Sequence, residues 1–506
     1  MEHDEDFYAG YDFDPADNVL PSDQRRTDER PAFSGERRLS QTIAPAHQVP
    51  AAKLDHDDDE AKAMAALNER HAVVRHGAGI MILCEDEDNG ATFMSEAGFK
   101  SFMANQKVLI NRNNAKGEPV TKPAPIVPLW LQHRDRRTYK GVTFAPGGDG
   151  AAGHYNLWQG FAIQPLEGTI GEAKARCRKL LNHIEDNLCN GNAEHARYLM
   201  TWAADMVQDP GRKKGIALVM RGKKGTGKSI FVDALASLFG SHAIKIAQGK
   251  HLTGNFNRHL ADKIFVVAEE TYWAGDKGAE GALKDLITSD RITVEAKGVD
   301  AIEVPSLCRI AMVTNNEWAV PASADERRYF VLDVAETQMQ NTAYFTAIVD
   351  ELNNGGREAL LTLLMKWNSG GLNLRDVPQT SALQEQKELS FEPLERFVFD
   401  LLSGAEYGGV SLDENAVHKQ RVFDAYSEEC RKRGYRNHFS FAFFCKRFME
   451  LTGATISKAA RDESGYRAPT FKLPGLAKAQ LTFATERNMP RLFRLDPANL
   501  TAKLAD

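Results

Sequence analysis

The chain has 506 residues, of which 42% are hydrophobic and 26% charged, and it carries a net charge of −6. That length leaves room for two or three folded domains, and the acidic balance argues against a protein that coats nucleic acid over its whole surface. No apolar run approaches the roughly twenty residues of a membrane span, the N-terminus is acidic where a signal peptide would be basic and then apolar, and the scattered cysteines (Cys84, Cys177, Cys189, Cys308, Cys430, Cys445) include no C-x-x-C pair, so a reduced, cytoplasmic protein without a membrane partner is expected.

Residues 1–62 are acidic, poor in apolar clusters and include Asp55-His56-Asp57-Asp58-Asp59-Glu60, the composition of a disordered tail. Residues 63–165 read as a small α/β region, with strand-like runs at Gly79 to Cys84 and Val108 to Ile110. Its basic aromatic stretch, Trp130 to Tyr139, either contacts nucleic acid or forms an amphipathic helix with its aromatics packed inward, and packing is the stronger reading. Residues 166–210 look like two helices, with Ile170, Leu180, Leu181, Ile184 and Leu188 on one face.

Residues 211–340 carry the chemistry. An apolar run, Ile216 to Met220, leads into Gly222-Lys223-Lys224-Gly225-Thr226-Gly227-Lys228-Ser229, the full G-x-x-x-x-G-K-[ST] phosphate-binding loop, and a helical pattern follows to Phe239. Glycines let backbone N–H groups approach a triphosphate closely, Lys228 puts a cation at the β and γ phosphates, and the Ser229 hydroxyl is a ligand for Mg²⁺. ATP and Mg²⁺ are therefore the expected cofactors. A second apolar run, Ile264 to Ala268, ends in Glu269-Glu270, so that Glu269 can hold the Mg²⁺ shell and Glu270 can polarise the attacking water. Arg291 to Glu295 and Ala301 to Val304 read as two strands of a hairpin with Lys297 near its tip. A third run, Arg309 to Thr314, ends in Asn315-Asn316, and Asn315 is the choice for sensing the γ-phosphate; Arg327 and Arg328 precede a last strand, Tyr329 to Val334.

Residues 341–395 are strongly helical between Tyr344 and Trp367, and Pro393 to Leu402 begins a new unit. In residues 396–506, helix, helix and a turn at Gly465-Tyr466-Arg467 lead to Thr470-Phe471-Lys472-Leu473, the order of a winged-helix domain with Phe439 to Phe448 as its second helix. Arg431, Lys432, Arg433, Arg436, Lys446 and Arg447 would give it a basic face, and from Val417 onward basic residues outnumber acidic ones by about two to one. A small helical domain with a solvated basic face is nearly as good a reading.

The order of these motifs resembles the core of a superfamily 3 helicase of the phage and poxvirus primase-helicase type. Tyr155-Asn156-Leu157-Trp158-Gln159-Gly160-Phe161, Gly254-Asn255-Phe256-Asn257 and Trp273-Ala274-Gly275-Asp276-Lys277 look like the phage branch of that group. The resemblance implies an α/β fold: an AAA+-like P-loop ATPase core with flanking helical segments, a helical collar at 166–210, the small N-terminal α/β region and the C-terminal winged-helix-like domain. It implies a homo-oligomeric ring, a hexamer by analogy, in which Arg327 or Arg328 completes a neighbour's site and Lys297 grips single-stranded DNA in the channel. A separate primase or replication initiator is the implied partner, because residues 67–165 are too short for a polymerising domain and show no convincing acidic pair. The competing reading is a replication initiator or assembly ATPase that binds duplex DNA; a P-loop kinase would lack the hairpin, the paired glutamates and the arginine pair.

Overall fold

The computed structural model describes residues 56–77, 79–86, 90–113, 117–254, 257–270, 277–296, 299–412, 416–435, 439–457, 469–489 and 492–493. The expected tail, the hairpin tip with Lys297, Arg436 and the turn at Gly465 lie outside them, except that a helix, His56–Arg70, already begins inside the expected tail.

The N-terminal region is a sheet in the order β3-β2-β1-β6, built from β1 (His71–His76), β2 (Gly79–Asp86), β3 (Gly90–Met94) and the short β6 (Thr138–Tyr139). Beside it lie a hairpin of β4 (Lys107–Asn113) and β5 (Pro119–Pro125) and the parallel pair β7 (Gly141–Thr143) and β8 (His154–Asn156). The basic aromatic stretch is not one helix. A short helix, Ile126–Gln132, ends before the arginines; Trp130 is fully buried with its indole N–H donating to Asn68 Oδ1 at 2.9 Å, and Arg137 pairs with Glu85. Its aromatic anchor and Arg137 are thus used internally.

Five strands form the centre: β9 (Ala217–Arg221), β10 (Ala243–Ile246), β11 (Phe265–Glu269), β14 (Arg309–Thr314) and β15 (Tyr329–Asp333), all parallel in the order β10-β11-β14-β9-β15. Side chains alternate between faces, so a strand covered on both sides must be apolar at nearly every position, as these are. Leu218, Met220, Phe265, Val267, Phe330 and Leu332 meet the helix after the loop, Lys228–Phe239, together with Ala193–Gln208 and Arg357–Met365. Ala217, Val219, Val266, Ala268, Ile310 and Val331 meet the helices Lys277–Thr288 and Ser381–Leu389 on the other face. The segment expected as a separate collar therefore shares one hydrophobic cluster with the sheet. Between Lys277–Thr288 and β14, strands β12 (Arg291–Ala296) and β13 (Val299–Pro305) pair antiparallel as the expected hairpin.

The C-terminal unit has its own apolar cluster, which begins with the helix Pro393–Leu402. Helices Lys419–Lys432 and Phe441–Thr452 pack with a small antiparallel sheet ordered β16-β18-β17, made of β16 (Ala416–His418), β17 (Thr455–Ser457) and β18 (Thr470–Lys472). A further helix, Leu476–Glu486, covers it. The basic face is partly neutralised: Lys432 pairs with Glu428 at 2.9 Å, Arg433 with Asp400 at 3.1 Å, and Arg447 with Glu450 at 3.0 Å.

Lys213 ties the base of the hairpin to the sheet, donating to Ser306 Oγ at 2.6 Å and to the Leu286 carbonyl at 2.7 Å. Burial pushes its ammonium down to about 8. The unfolded chain would keep that proton up to about pH 10.4, so stability should rise with pH between those values, by on the order of 3 kcal/mol at most. Replacing Lys213 with Met should flatten the slope of Tm against pH in that window; an unchanged slope would place the titration elsewhere.

Candidate functional site

The loop Gly222–Ser229 follows the C-terminal tip of β9 and ends in the helix Lys228–Phe239. Gly222, Gly225 and Gly227 take φ values of +155°, +78° and +85°, a region that side chains rarely adopt. A Cβ on Gly227 would lie 2.5 Å from Phe345 Cε1 and 2.6 Å from His183 Cε1, so only glycine fits there. Among the described residues, the N–H groups of Lys223 to Gly227 have no backbone acceptor. An arc of free donors at a helix N-terminus is the electrostatic complement of a phosphate chain. The residues present thus fit a triphosphate.

Lys228 is buried, and its ammonium donates to the carbonyls of Gly222 (2.6 Å) and Lys223 (2.7 Å) and to Asn315 Oδ1 (3.0 Å). Burial lowers its pKa, against which the charge of Glu270 works. Asn315 in turn donates through Nδ2 to Glu270 Oε1. Lys228, Asn315 and Glu270 therefore form one chain of contacts across three adjacent strand tips. Strand β14 runs between β9 and β11, and the register sets Glu269 opposite Val313. Asn316 uses its backbone N–H on Thr314 Oγ1 at 3.0 Å and joins none of this. Glu270 has φ +52°, a conformation that costs a non-glycine residue about 1–3 kcal/mol and concentrates at functional sites. Its N–H is fixed by the Val313 carbonyl at 3.0 Å.

Glu269 is half-buried at the end of β11, with Oε1 3.5 Å from Lys245 Nζ, which itself sits 2.5 Å from Asp233 Oδ1. Burial raises the Asp233 pKa in spite of Lys245. Ser229 is half-buried in the first turn of the helix; Lys224 is exposed, and Lys223 pairs with Glu336 at 2.9 Å. Among the described residues no group of three or more His, Cys, Asp or Glu side chains is arranged to hold a metal ion, so a cation here would rest on Ser229, Glu269 and the phosphates themselves.

Arg327 and Arg328 are not brought to this site. Tyr329 at the start of β15 pairs with Ala217 at the start of β9, so the arginines lie at the opposite edge of the sheet, a five-residue strand or roughly 16 Å from the loop. They differ from each other: the buried Glu326 carboxylate accepts the N–H groups of both residues at 3.0 and 2.8 Å and also binds the Arg328 guanidinium at 3.2 Å. Arg327 is exposed and has no ion-pair partner among the described residues.

Three supporting groups were not among the sequence-derived candidates. His183 Nε2 meets the Gly227 carbonyl at 3.1 Å and Asn187 Nδ2 donates to the Thr226 carbonyl at 2.7 Å, both from the π-helical segment His183–Leu188. The Gln340 N–H donates to the Gly225 carbonyl at 2.8 Å. The signal lay in two polar residues four apart on a face otherwise formed by Leu180, Ile184 and Leu188. The helix Ser381–Leu389 also reaches the site, through Glu385 on Arg221, Gln386 on the backbone of Glu317, Ala319 and Val320, and Lys387 on the Ala324 carbonyl.

A protein family described only as of unknown function (DUF5906) matches residues 220–328, which run from the end of β9 to the arginine pair. The chain is similar to the DNA primase-polymerase of Nitratiruptor phage NrS-1, being 25% identical over 179 residues; that match spans 35% of this chain and only 25% of the phage protein. Two apo structures of the NrS-1 C-terminal region share the fold, with TM-scores of 0.57 and 0.55 at 15% and 16% identity, covering 82% of this chain and 99% and 100% of that region. The mixed α/β architecture described above is thus the fold of the NrS-1 C-terminal region.

Proposed function

We propose that this chain is an ATP-dependent DNA helicase acting in replication of a phage or related mobile element, and that it hydrolyses ATP at the subunit interfaces of a ring. The observation that carries this reading is the contact chain from Lys228 through Asn315 to Glu270, which joins the phosphate-binding loop to a carboxylate across three strand tips. The likeness to a phage replication protein supports the setting.

In this reading the loop N–H groups and Lys228 take the phosphates, and contact with the γ-phosphate draws the ammonium away from the Gly222 and Lys223 carbonyls. Mg²⁺, when bound, neutralises charge developing on the phosphate oxygens. Ser229 and Glu269 would hold it. Asn315 orients Glu270, which accepts a proton from the water as the water oxygen attacks the γ-phosphorus and the bond to the β–γ bridging oxygen breaks, releasing ADP and phosphate. Arg327, exposed at the far edge of the sheet and without an ion-pair partner among the described residues, suits the role of reaching a neighbour's nucleotide better than Arg328, whose guanidinium Glu326 holds. The hairpin of β12 and β13 would carry Lys297 to the phosphate backbone of single-stranded DNA.

ATP hydrolysis measured with and without single-stranded DNA tests this directly. Stimulation by single strands, lost in Glu270→Gln, is expected; stimulation by duplex alone would favour an initiator or assembly ATPase, and no hydrolysis at all would sink both. A mixing experiment addresses the interface. Arg327→Ala and Glu270→Gln should each be nearly inactive, yet a mixture should recover activity, because some interfaces then pair an intact Glu270 with an intact Arg327. Absence of recovery under conditions that exchange subunits would contradict the role of Arg327 across the interface. Lys297→Ala should abolish unwinding while ATP binding persists, and a variant that still unwinds would remove Lys297 from the channel.

A further inference from the structure

We propose that His183 and Asn187 are positioning residues of the phosphate-binding loop, holding its carbonyls outward so that its N–H groups face the nucleotide before the nucleotide arrives. This rests on the reading of the loop as an ATP site. In a planar trans peptide the carbonyl of one residue and the N–H of the next point in opposite directions. Three consecutive carbonyls of the loop accept from groups outside it: Gly225 from the Gln340 N–H at 2.8 Å, Thr226 from Asn187 Nδ2 at 2.7 Å, and Gly227 from His183 Nε2 at 3.1 Å, the last shared with the Ile230 N–H of the following helix at 3.2 Å. Fixing those oxygens turns the N–H groups of Thr226, Gly227 and Lys228 the other way. The loop's orientation is therefore imposed by the helical segment ahead of the sheet and by the segment after β15.

The chemistry of the two side chains is consistent with that role. A carbonyl can only accept, so His183 must carry its proton on Nε2, and Nδ1 is then free to accept from the Tyr344 hydroxyl at 3.2 Å. His183 is fully buried, and burial lowers its pKa, which favours this neutral form. Asn187 is 1% exposed, and while its Nδ2 serves Thr226, its Oδ1 has no partner among the described residues. A buried acceptor left unpaired is costly, so an apolar side chain of similar size would suit packing better there. The cost is localised at a residue whose donor is spent on the loop.

Affinity for a non-hydrolysable ATP analogue with Mg²⁺, measured together with Tm, tests the proposal on the full-length chain. Asn187→Leu removes the donor along with the unpaired oxygen, and His183→Phe keeps a ring but no donor. Each should weaken analogue binding by about tenfold or more, the order expected for losing a hydrogen bond that orients a charged site, while Tm falls little. His183→Gln, which can present an amide donor to the same carbonyl, should restore most of the affinity. Lys228→Ala serves as the control for the nucleotide site itself. If Asn187→Leu and His183→Phe bind as tightly as the wild type while Lys228→Ala does not, positioning is overturned and the ATP site stands. If His183→Gln loses as much binding as His183→Phe and all variants lose Tm in parallel, the two residues serve packing alone, and the proposal also fails. A wild-type chain that binds no analogue would overturn both readings.

Discussion

Burial of the central sheet on both faces is the constraint from which the rest of the structure follows. Five parallel strands can be covered on both sides only if helices cross from one strand to the next, and every connection then enters or leaves at a strand tip. All parallel strands end at the same edge, so the loops following β9, β11 and β14 are gathered there by topology. The strand order adds the decisive detail. With β14 between β9 and β11, the residue after β14 lies between the loop Gly222–Ser229 and the glutamate pair, and Asn315 can touch Lys228 on one side and Glu270 on the other. Were β9 and β11 neighbours, the amide would stand outside the pair.

Around the same edge lie three departures from ordinary packing. Lys228 is an ammonium held in a mostly buried position, Glu270 takes a left-handed backbone conformation without being glycine, and Asn187 keeps an amide oxygen in the interior that is unpaired among the described residues. Each of these disfavours the folded state by itself. They lie together around one loop, while the apolar interior on either side of the sheet obeys simple alternation.

The opposite edge has a different character. Glu326 gathers the backbone of the arginine pair and the guanidinium of Arg328, which fixes the loop and leaves Arg327 facing outward. The helix Ser381–Leu389 runs along the side of the sheet and contacts Arg221 beside the loop Gly222–Ser229, the backbone just after Asn315 and the backbone just before the arginines. It leads directly into the C-terminal unit. The two edges of the sheet and that unit are therefore mechanically joined by one short helix, with Glu385 on the Arg221 guanidinium and Gln386 and Lys387 on backbone groups.

Much of this was legible in the residues themselves. The loop Gly222–Ser229, the strands ending at Glu269 and Thr314 and the two arms of the hairpin follow from local pattern, because glycine spacing and continuous apolar runs act over a few residues. The amphipathic helix expected across Trp130 to Tyr139 does not form, since Trp130 and Arg137 find partners in Asn68 and Glu85 that lie far away in sequence. Long-range pairing also decided what no local signal carries: that β14 lies between β9 and β11, that the arginines stand a strand's length from the loop of their own chain, that the collar belongs to the core, and that His183 and Asn187 hold the loop's carbonyls. By itself the sequence determined which backbone segments could bind a phosphate and which could lie in a buried sheet; only the tertiary structure decided which side chains meet there, because contacts between residues distant in sequence are chosen by how the apolar faces close on one another.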